Sequence, residues 1–506
     1  MNAPRKRELL LSLKNCTVEA CFSVPMLQLT QGNLPFTIGF AVIVLGWSDA
    51  AIGWLAATPF ICLFAQPPIT YFLQRHFSLY QIIAGTFVIN AVPWTLIAFF
   101  PWLNVNHGWL FGGIVLVSTL ANAVCGVAWW ASVSELVPLG IRGKFFGARN
   151  MMFTFWTLVA TLAAGYFVTH TSNPQWAFGL VFTLASGARL VGLFFLTRIK
   201  FPPVVTERRS PHSPWKTMTN VFQDRQFLRL LVFTGLFGLC LNLGTPFYNV
   251  YVLKVLPLTL GDLTVLTTLS TVGSLVSLKT WGVLSDRFGN KPIMLTSAMI
   301  WLTTAAVSWL FAGPQRYAHL YANYFLTGFL MAGFQQVGQF NLMIKMVPAE
   351  NRAHHISVYF SFTNMLITLG PILGGMALQV LPERAGTWFQ EPLLNYHIVI
   401  VGSLGMCLLS LHLLQAVAEP AVRPVRELVQ VMSQMREFNP VLGLTTLAEY
   451  VFTPRGLSRL AHFSVRTFRK QTSAVSDVGE ELVEEGWRAL KKPWEETADQ
   501  EPEQRR

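Results

Sequence analysis

The sequence predicts an all-α membrane protein of 506 residues: twelve transmembrane helices in two pseudo-symmetric six-helix bundles, followed by a cytoplasmic helical tail. Three observations predict it. Hydrophobic residues make up 52% of the chain and charged residues only 12%, with a mean hydropathy of +0.45; a soluble chain carries about a quarter charged residues. Apolar runs of the roughly 20 residues that cross a bilayer recur twelve times. A loop motif also repeats at one constant offset, once in each half.

The runs lie at 16–44, 50–73, 79–101, 108–134, 147–169 and 176–198, and again at 228–253, 262–283, 292–312, 318–345, 356–380 and 396–417. Helices are expected throughout, because backbone groups in hydrocarbon must be bonded within their own segment. Between the sixth and seventh runs, residues 199–227 ("IKFPPVVTERRSPHSPWKTMTNVFQDRQF") are rich in Pro, Ser and charge and read as a linker. The repeat supports that division. "LVPLGIRGKFFGARN" (136–150) follows the fourth run and "MVPAENRAHHISVYF" (346–360) the tenth, so that Pro138 matches Pro348 and Arg142 matches Arg352. Two parallel copies imply a pseudo-two-fold along the membrane normal and a site where they meet. The expected organisation is a first bundle over 1–198, a linker over 199–227, a second bundle over 228–418 and a tail over 419–506.

The net charge of +12 is unevenly placed. Arg5, Lys6, Arg7, Arg75, Arg142, Lys144, Arg198, Lys200, Arg287, Lys291, Lys345 and Arg352 fall on the side of the N-terminus, whereas the opposite loops hold Lys254, Arg316 and Arg384. This positive-inside asymmetry puts both termini in the cytoplasm and the protein in the inner (plasma) membrane, multi-pass. No contiguous basic face of the kind nucleic acid requires is seen. The opening "MNAPRKRELLLSLKN" runs on into apolar sequence and reads as an uncleaved first span. In the tail, Val425, Leu428, Val429, Met432 and Met435 recur at helical spacing, which suits a helix on the lipid surface or one packed on the linker. The six cysteines all fall inside apolar runs, where they act as small apolar side chains, so neither a metal nor a cofactor is expected. There is no G-x-x-x-x-G-K-[ST] phosphate loop, and no nucleophile sits beside a base and an orienting acid. The chain does not read as an enzyme.

"GVLSDRFGNKP" (282–292), between the eighth and ninth runs, resembles the G-x-L-x-D-R-x-G-R/K-R/K signature of the major facilitator superfamily. "VPLGIRGKFFGARN" is similar to the loop after the fourth span in bacterial members. The resemblance covers nearly all of 1–418 and implies a transporter whose halves rock about a central cavity lined by the first, fourth, seventh and tenth spans. It also implies a cytoplasmic gate. Gly282 would let two helices approach, Gly289 would permit a tight turn, and Asp286 would pair with Arg142 or Arg149 at the start of the fifth span. Arg287 and Lys291 join it; the bland alternative is that all three only anchor topology. In the first half Gln74 replaces the acid and Phe77 the glycine, so Arg352 loses its pair and the gate is expected to be lopsided.

Polar side chains inside spans tend to face a cavity or one another. In the first span these are Glu19, Gln28, Gln31 and Asn33, with Pro25, Gly32 and Pro35 to distort the helix. The fourth offers Asn122, Trp129 and Trp130, the seventh Asn242, Tyr248 and Asn249, and the tenth Gln335, Gln336 and Gln339. Glu19 is the proton-coupling candidate, with an ion pair to Lys14 as the alternative. Arg189 either meets an anion or bonds neighbouring helices, and Glu135 supports Arg142 or Arg149. The expected activity is secondary active transport of a small neutral or amphiphilic solute by a monomer among membrane lipids, driven by a solute or proton gradient. The alternative is a non-transporting sensor or scaffold signalling through its tail, which a cavity plugged by Trp129, Trp130 and Phe side chains would favour.

Overall fold

A computed structural model describes residues 3–100, 108–137, 142–201, 224–346, 352–388, 391–419 and 428. Nine helices among these are long and apolar enough to cross a membrane: Asp49–His76, Gly108–Val133, Met152–His170, Pro174–Leu196, Arg225–Lys254, Leu260–Leu278, Asn290–Leu310, Val358–Val380 and Asn395–Gln415. They are the second, fourth to ninth, eleventh and twelfth spans. The other three spans are interrupted. The first is Ala3–Leu29, a break, then Pro35–Ile43, with Pro35 opening the second piece. The third is Leu79–Thr95 with a tighter turn over Leu96–Phe99. The tenth is His319–Met331, a π-helical stretch over Ala332–Gln339, then Phe340–Met346.

Local sequence sets the ends. Ser78 and Gln81 form a reciprocal capping box at the start of the third span, and Thr259 with Asp262 does the same for the eighth. Asp224 accepts from the Gln226 and Phe227 amides at the start of the seventh. Gly289, at φ +93°, stops the eighth span and starts the ninth, a turn that L side chains resist. One element lay outside the sequence reading: Arg384–Trp388 and Glu391–Leu394 pair as an antiparallel two-stranded sheet ahead of the twelfth span.

The same pairings recur in both sets of six spans. The first packs on the fifth and sixth as the seventh packs on the eleventh and twelfth. The second and third lie on the fourth as the eighth and ninth lie on the tenth. Buried polar groups tie helices together inside lipid. Ser118 on the fourth span receives the Trp94 indole at 2.7 Å and the Asn90 amide at 2.9 Å, both from the third. Aromatic rings fill the rest, with Phe40 4.8 Å from Phe111 and Phe237 4.5 Å from Phe334.

Between the sets, the second span runs along the eleventh and the fifth along the eighth. We call the side holding residues 201 and 224 the linker face and the opposite side the far face. Backbone meets backbone near the far face. A Cβ on Gly53 would strike the Pro371 carbonyl, and one on Gly375 would lie 2.6 Å from the Asp49 carbonyl oxygen. Within the second set, a Cβ on Gly328 would strike the Ser270 carbonyl, fixing the tenth span against the eighth. Since rigid backbone cannot give way, Gly328→Ala should cost about 1–3 kcal/mol and lower the melting midpoint in detergent, whereas Gly85→Ala, with nothing within 4 Å, should leave it unchanged.

Candidate functional site

The far face is closed by an ionic knot as well as by glycines. Asp49, in the first turn of the second span, meets Lys254 at the last position of the seventh at 2.7 Å. It also accepts the Tyr396 hydroxyl from the start of the twelfth span at 2.8 Å. Placing an acid at a helix N-terminus and a lysine at a helix C-terminus puts each charge where its own helix favours it. Lys254 also reaches the Trp47 carbonyl at 3.4 Å. Beside this knot, the Gly261 amide of the eighth span donates to Thr169 of the fifth at 2.9 Å.

Just below that closure, on the linker side, lies a cavity of about 180 Å³. The broken first span supplies Gln28, Leu34, Pro35 and Phe36; the fifth supplies Thr157 and Thr161; the eighth supplies Thr264, Thr267, Thr268 and Thr271. Among the described residues no charged side chain lines it. Of the residues expected at a cavity, Gln28 lines this one. Neighbouring Gln31 and Asn33 are half-buried in the break, and the Asn33 carbonyl oxygen is buried without a hydrogen-bond partner.

The other expected cavity residues have different surroundings. Asn122 is half-buried, Trp129 is buried and Trp130 is exposed. Asn242 donates to the Gly238 carbonyl of its own helix, Asn249 is buried, and Tyr248 stacks on Trp309 at 4.7 Å. Gln336 reaches Ser274 of the eighth span at 2.8 Å and Gln339 the Tyr359 hydroxyl of the eleventh at 3.0 Å; Gln335 is half-buried. Gln336 and Gln339 thus bond helices within one half. The cavity-facing polarity comes mostly from Thr157, Thr161, Thr264, Thr267, Thr268 and Thr271, none of which the sequence singled out.

Glu19 is 2% exposed and sits between two arginines rather than beside Lys14. Arg149 of the fifth span lies 3.7 Å and Arg189 of the sixth 4.0 Å from its oxygens, and Ser23 donates to it at 2.6 Å. Each arginine covers a ring: Arg149 lies 4.2 Å above Trp129 and Arg189 3.6 Å above Phe87. Arg189 therefore bonds neighbouring helices, through Glu19 of the first span and Cys125 of the fourth, and is not among the residues lining the cavity. One carboxylate faces two guanidiniums, and its Oε2 has no hydrogen-bond partner.

At the linker face the expected gate is not assembled. Asp286 is exposed and makes no ion pair among the described residues. Arg149, its expected partner, is drawn into the first half by Glu19 and Trp129. The side chains of Arg142, Arg352 and Glu135 lie outside the described residues. Nothing stands within 4 Å of a Cβ on Gly282, so close helix approach is not its role in this conformation. Arg287 lies 5.4 Å over Phe288. Lys291, expected at the gate, instead donates to the Gln415 and Val417 carbonyls at 2.7 and 2.9 Å, capping the end of the twelfth span within its own half.

What holds this corner is Glu419, which the sequence reading assigned to the tail. Its carboxylate accepts the Asn290 and Lys291 amides at 3.1 and 2.7 Å, the Asn290 side chain at 2.7 Å and Lys345 at 3.2 Å. Burial pushes this carboxyl up, but the amides of Lys291 and Asn290, the Asn290 side chain and Lys345 outweigh it and hold it below the ordinary carboxylate value.

The family model of the Major Facilitator Superfamily matches residues 20–266 and again 250–494. The chain belongs to the Major Facilitator Superfamily. Its fold is similar to that of the nucleoside transporter NupG, 16% identical, with a TM-score of 0.60 over 82% of this chain and 99% of that one. It is also similar to the xylose transporter XylE from E. coli in an inward open conformation, 13% identical, with a TM-score of 0.59 over 83% and 99% of the two chains. In sequence, the chain is 24% identical over 290 residues to an uncharacterized protein of Mycobacterium tuberculosis, Rv2209, covering 55% of this chain and 54% of that one. It thus spans about half the length of the curated relatives it matches. Membership of this family, together with the nine apolar helices among the described residues, makes this a multi-pass membrane protein.

The Glu419 clamp carries a pH signature. A carboxyl held low in the fold stabilises it above the unfolded value of about 4.3 and loses that contribution as pH falls through the folded value. Glu419→Gln should therefore cost about 1.5–3 kcal/mol at pH 7, read as a lower melting midpoint in detergent. The gap from the wild type should narrow once the pH falls below about 4.

Proposed function

We propose that the protein is a secondary active transporter that moves a small solute by alternating access between its two six-span halves, with the boundaries set out above. The observation that carries this reading is the asymmetry of the gates: Asp49 ties the halves together at the far face, while at the linker face Asp286 makes no ion pair among the described residues. The excess of cations on the linker face supports reading it as cytoplasmic, and on that reading this is a conformation open to the cell interior, with both termini inside, in the inner membrane. When the halves rock the other way, Lys254 leaves Asp49 and Asp286 swings toward the start of the fifth span, where Arg142 waits. The protein works as a monomer among membrane lipids.

The cavity supports transport over signalling: Thr and Gln side chains line it, and Trp129 and Trp130 do not plug it. Proton coupling rests on Glu19. Its carboxylate holds Arg149, so neutralising it would release that arginine on the fifth span, one of the two spans the first half lends to the far-face contact.

Two measurements test this. In Leu34→Cys protein, a maleimide added at the far face reports whether that side is open. Breaking a charged hydrogen-bonded pair costs about 1.5–3 kcal/mol, so Asp49→Asn should speed labelling roughly tenfold or more, and Asp286→Asn should slow it by freeing the linker face further. Equal rates in all three would end the two-gate scheme. In proteoliposomes given a metabolite mixture, a pH gradient should enhance uptake by the wild type and not by Glu19→Gln; an undiminished gradient response in the variant removes Glu19 from coupling.

A further inference from the structure

The threonines of the cavity are not equivalent, and the difference says what they can bind. A hydroxyl has one proton and two lone pairs. Thr161 donates its proton to the Thr157 carbonyl at 2.8 Å, Thr264 to Gly261 at 2.7 Å, Thr267 to Thr264 at 3.0 Å and Thr271 to Thr267 at 3.0 Å. Each has spent its proton on its own helix. Toward the cavity these four can only accept. Thr157 and Thr268 differ: their hydroxyl oxygens are buried with no hydrogen-bond partner at all. Two such groups left unmatched destabilise the empty site, a cost that a solute reaching them removes.

Charge and size narrow the class further. Among the described residues the wall holds neither an acid nor a base, so an ionised solute would shed its water against neutral groups. A volume of about 180 Å³ is below the roughly 300–1,000 Å³ of sites for drug-sized ligands. Leu34, Pro35, Phe36 and Leu158 give the cavity apolar patches for carbon–hydrogen faces.

We infer that this cavity is a binding site for a small uncharged polyhydroxyl solute, which donates hydrogen bonds to the four proton-spent threonines and bridges the unpartnered hydroxyls of Thr157 and Thr268. The inference rests on the transport reading above and names its substrate class. It also makes the solute a strap between the fifth span of one half and the eighth of the other, at the level where the far face is shut.

The test is equilibrium binding of radiolabelled glycerol, erythritol, xylitol and sorbitol to the full-length protein in detergent. At least one member should bind. The Thr157→Val/Thr268→Val double variant, which keeps the shape and removes both hydroxyls, should bind it about tenfold more weakly or worse. The Thr157→Ser/Thr268→Ser variant should restore binding, showing that the hydroxyls and not the fold are responsible. Xylonate and 1-amino-1-deoxyxylitol, charged counterparts of xylitol, should fail to compete. Silence across the whole neutral series, equal competition by either charged counterpart, or unchanged binding in the valine variant overturns the inference. So does binding of sodium at these threonines in place of the polyol, read as sodium-22 retained by wild type and lost by the valine variant. Uptake into proteoliposomes separates the two levels. A polyol that binds as expected but never accumulates upholds this site and refutes transport, whereas accumulation of a charged solute alone upholds transport and refutes this site.

Discussion

The structure depends on how closely the second and eleventh spans approach at the far face. Gly53 lies under the Pro371 carbonyl and Gly375 under that of Asp49, so the two halves meet there backbone to backbone. In lipid no hydrophobic force drives helices together, and contact must come from close packing and polar bonds. Small residues supply the first and Asp49 supplies the second, since Lys254 and Tyr396 both converge on it. The cavity lies between the broken first span and the fifth and eighth, the last two joined by the Gly261 amide to Thr169.

The few charges inside the membrane are allocated with some economy. Glu19 counters two arginines from two different helices, and each arginine shelters its remaining face on an aromatic ring. The cluster joins the first, fifth and sixth spans within one half and leaves the cavity neutral. At the linker face, Glu419 serves the ninth and tenth spans in a similar way, meeting free amides at a helix start and a lysine at another helix's end. Charge near the lipid therefore stiffens each half, and charge at the faces decides how the halves meet.

Some of this was legible in the sequence. The spans follow from hydropathy because each helix satisfies its own backbone, a local matter that a single stretch of sequence reports. Gly289 was legible too, as a turn residue between two apolar runs. Partners distant in sequence were not. Asp49 and Lys254 stand 205 positions apart, and nothing in either neighbourhood says they meet. Glu419 reads as the first charge of a polar tail until folding sets it over Asn290. Threonine is nearly silent in hydropathy, so the hydroxyl wall escaped notice while more conspicuous glutamines drew attention. Of those glutamines, Gln336 and Gln339 proved to be ties between helices of one half, while Gln28 does line the cavity. The arginine expected at the gate, Arg149, was claimed by a nearer acid on its own side.

The wide stretch at Ala332–Gln339 bears on how the tenth span is phased. A regular α-helix advances 100° per residue, so its two ends are locked in azimuth; a single π turn lets that phase slip. Upstream, Gly328 can nestle on the eighth span, while downstream Gln339 still points to the eleventh and Lys345 to Glu419. One surplus residue thus acts like a spline in a drive shaft, letting the two ends of one rod be indexed independently. Excising it would rotate the downstream end by more than a quarter turn and undo whichever set of contacts came second.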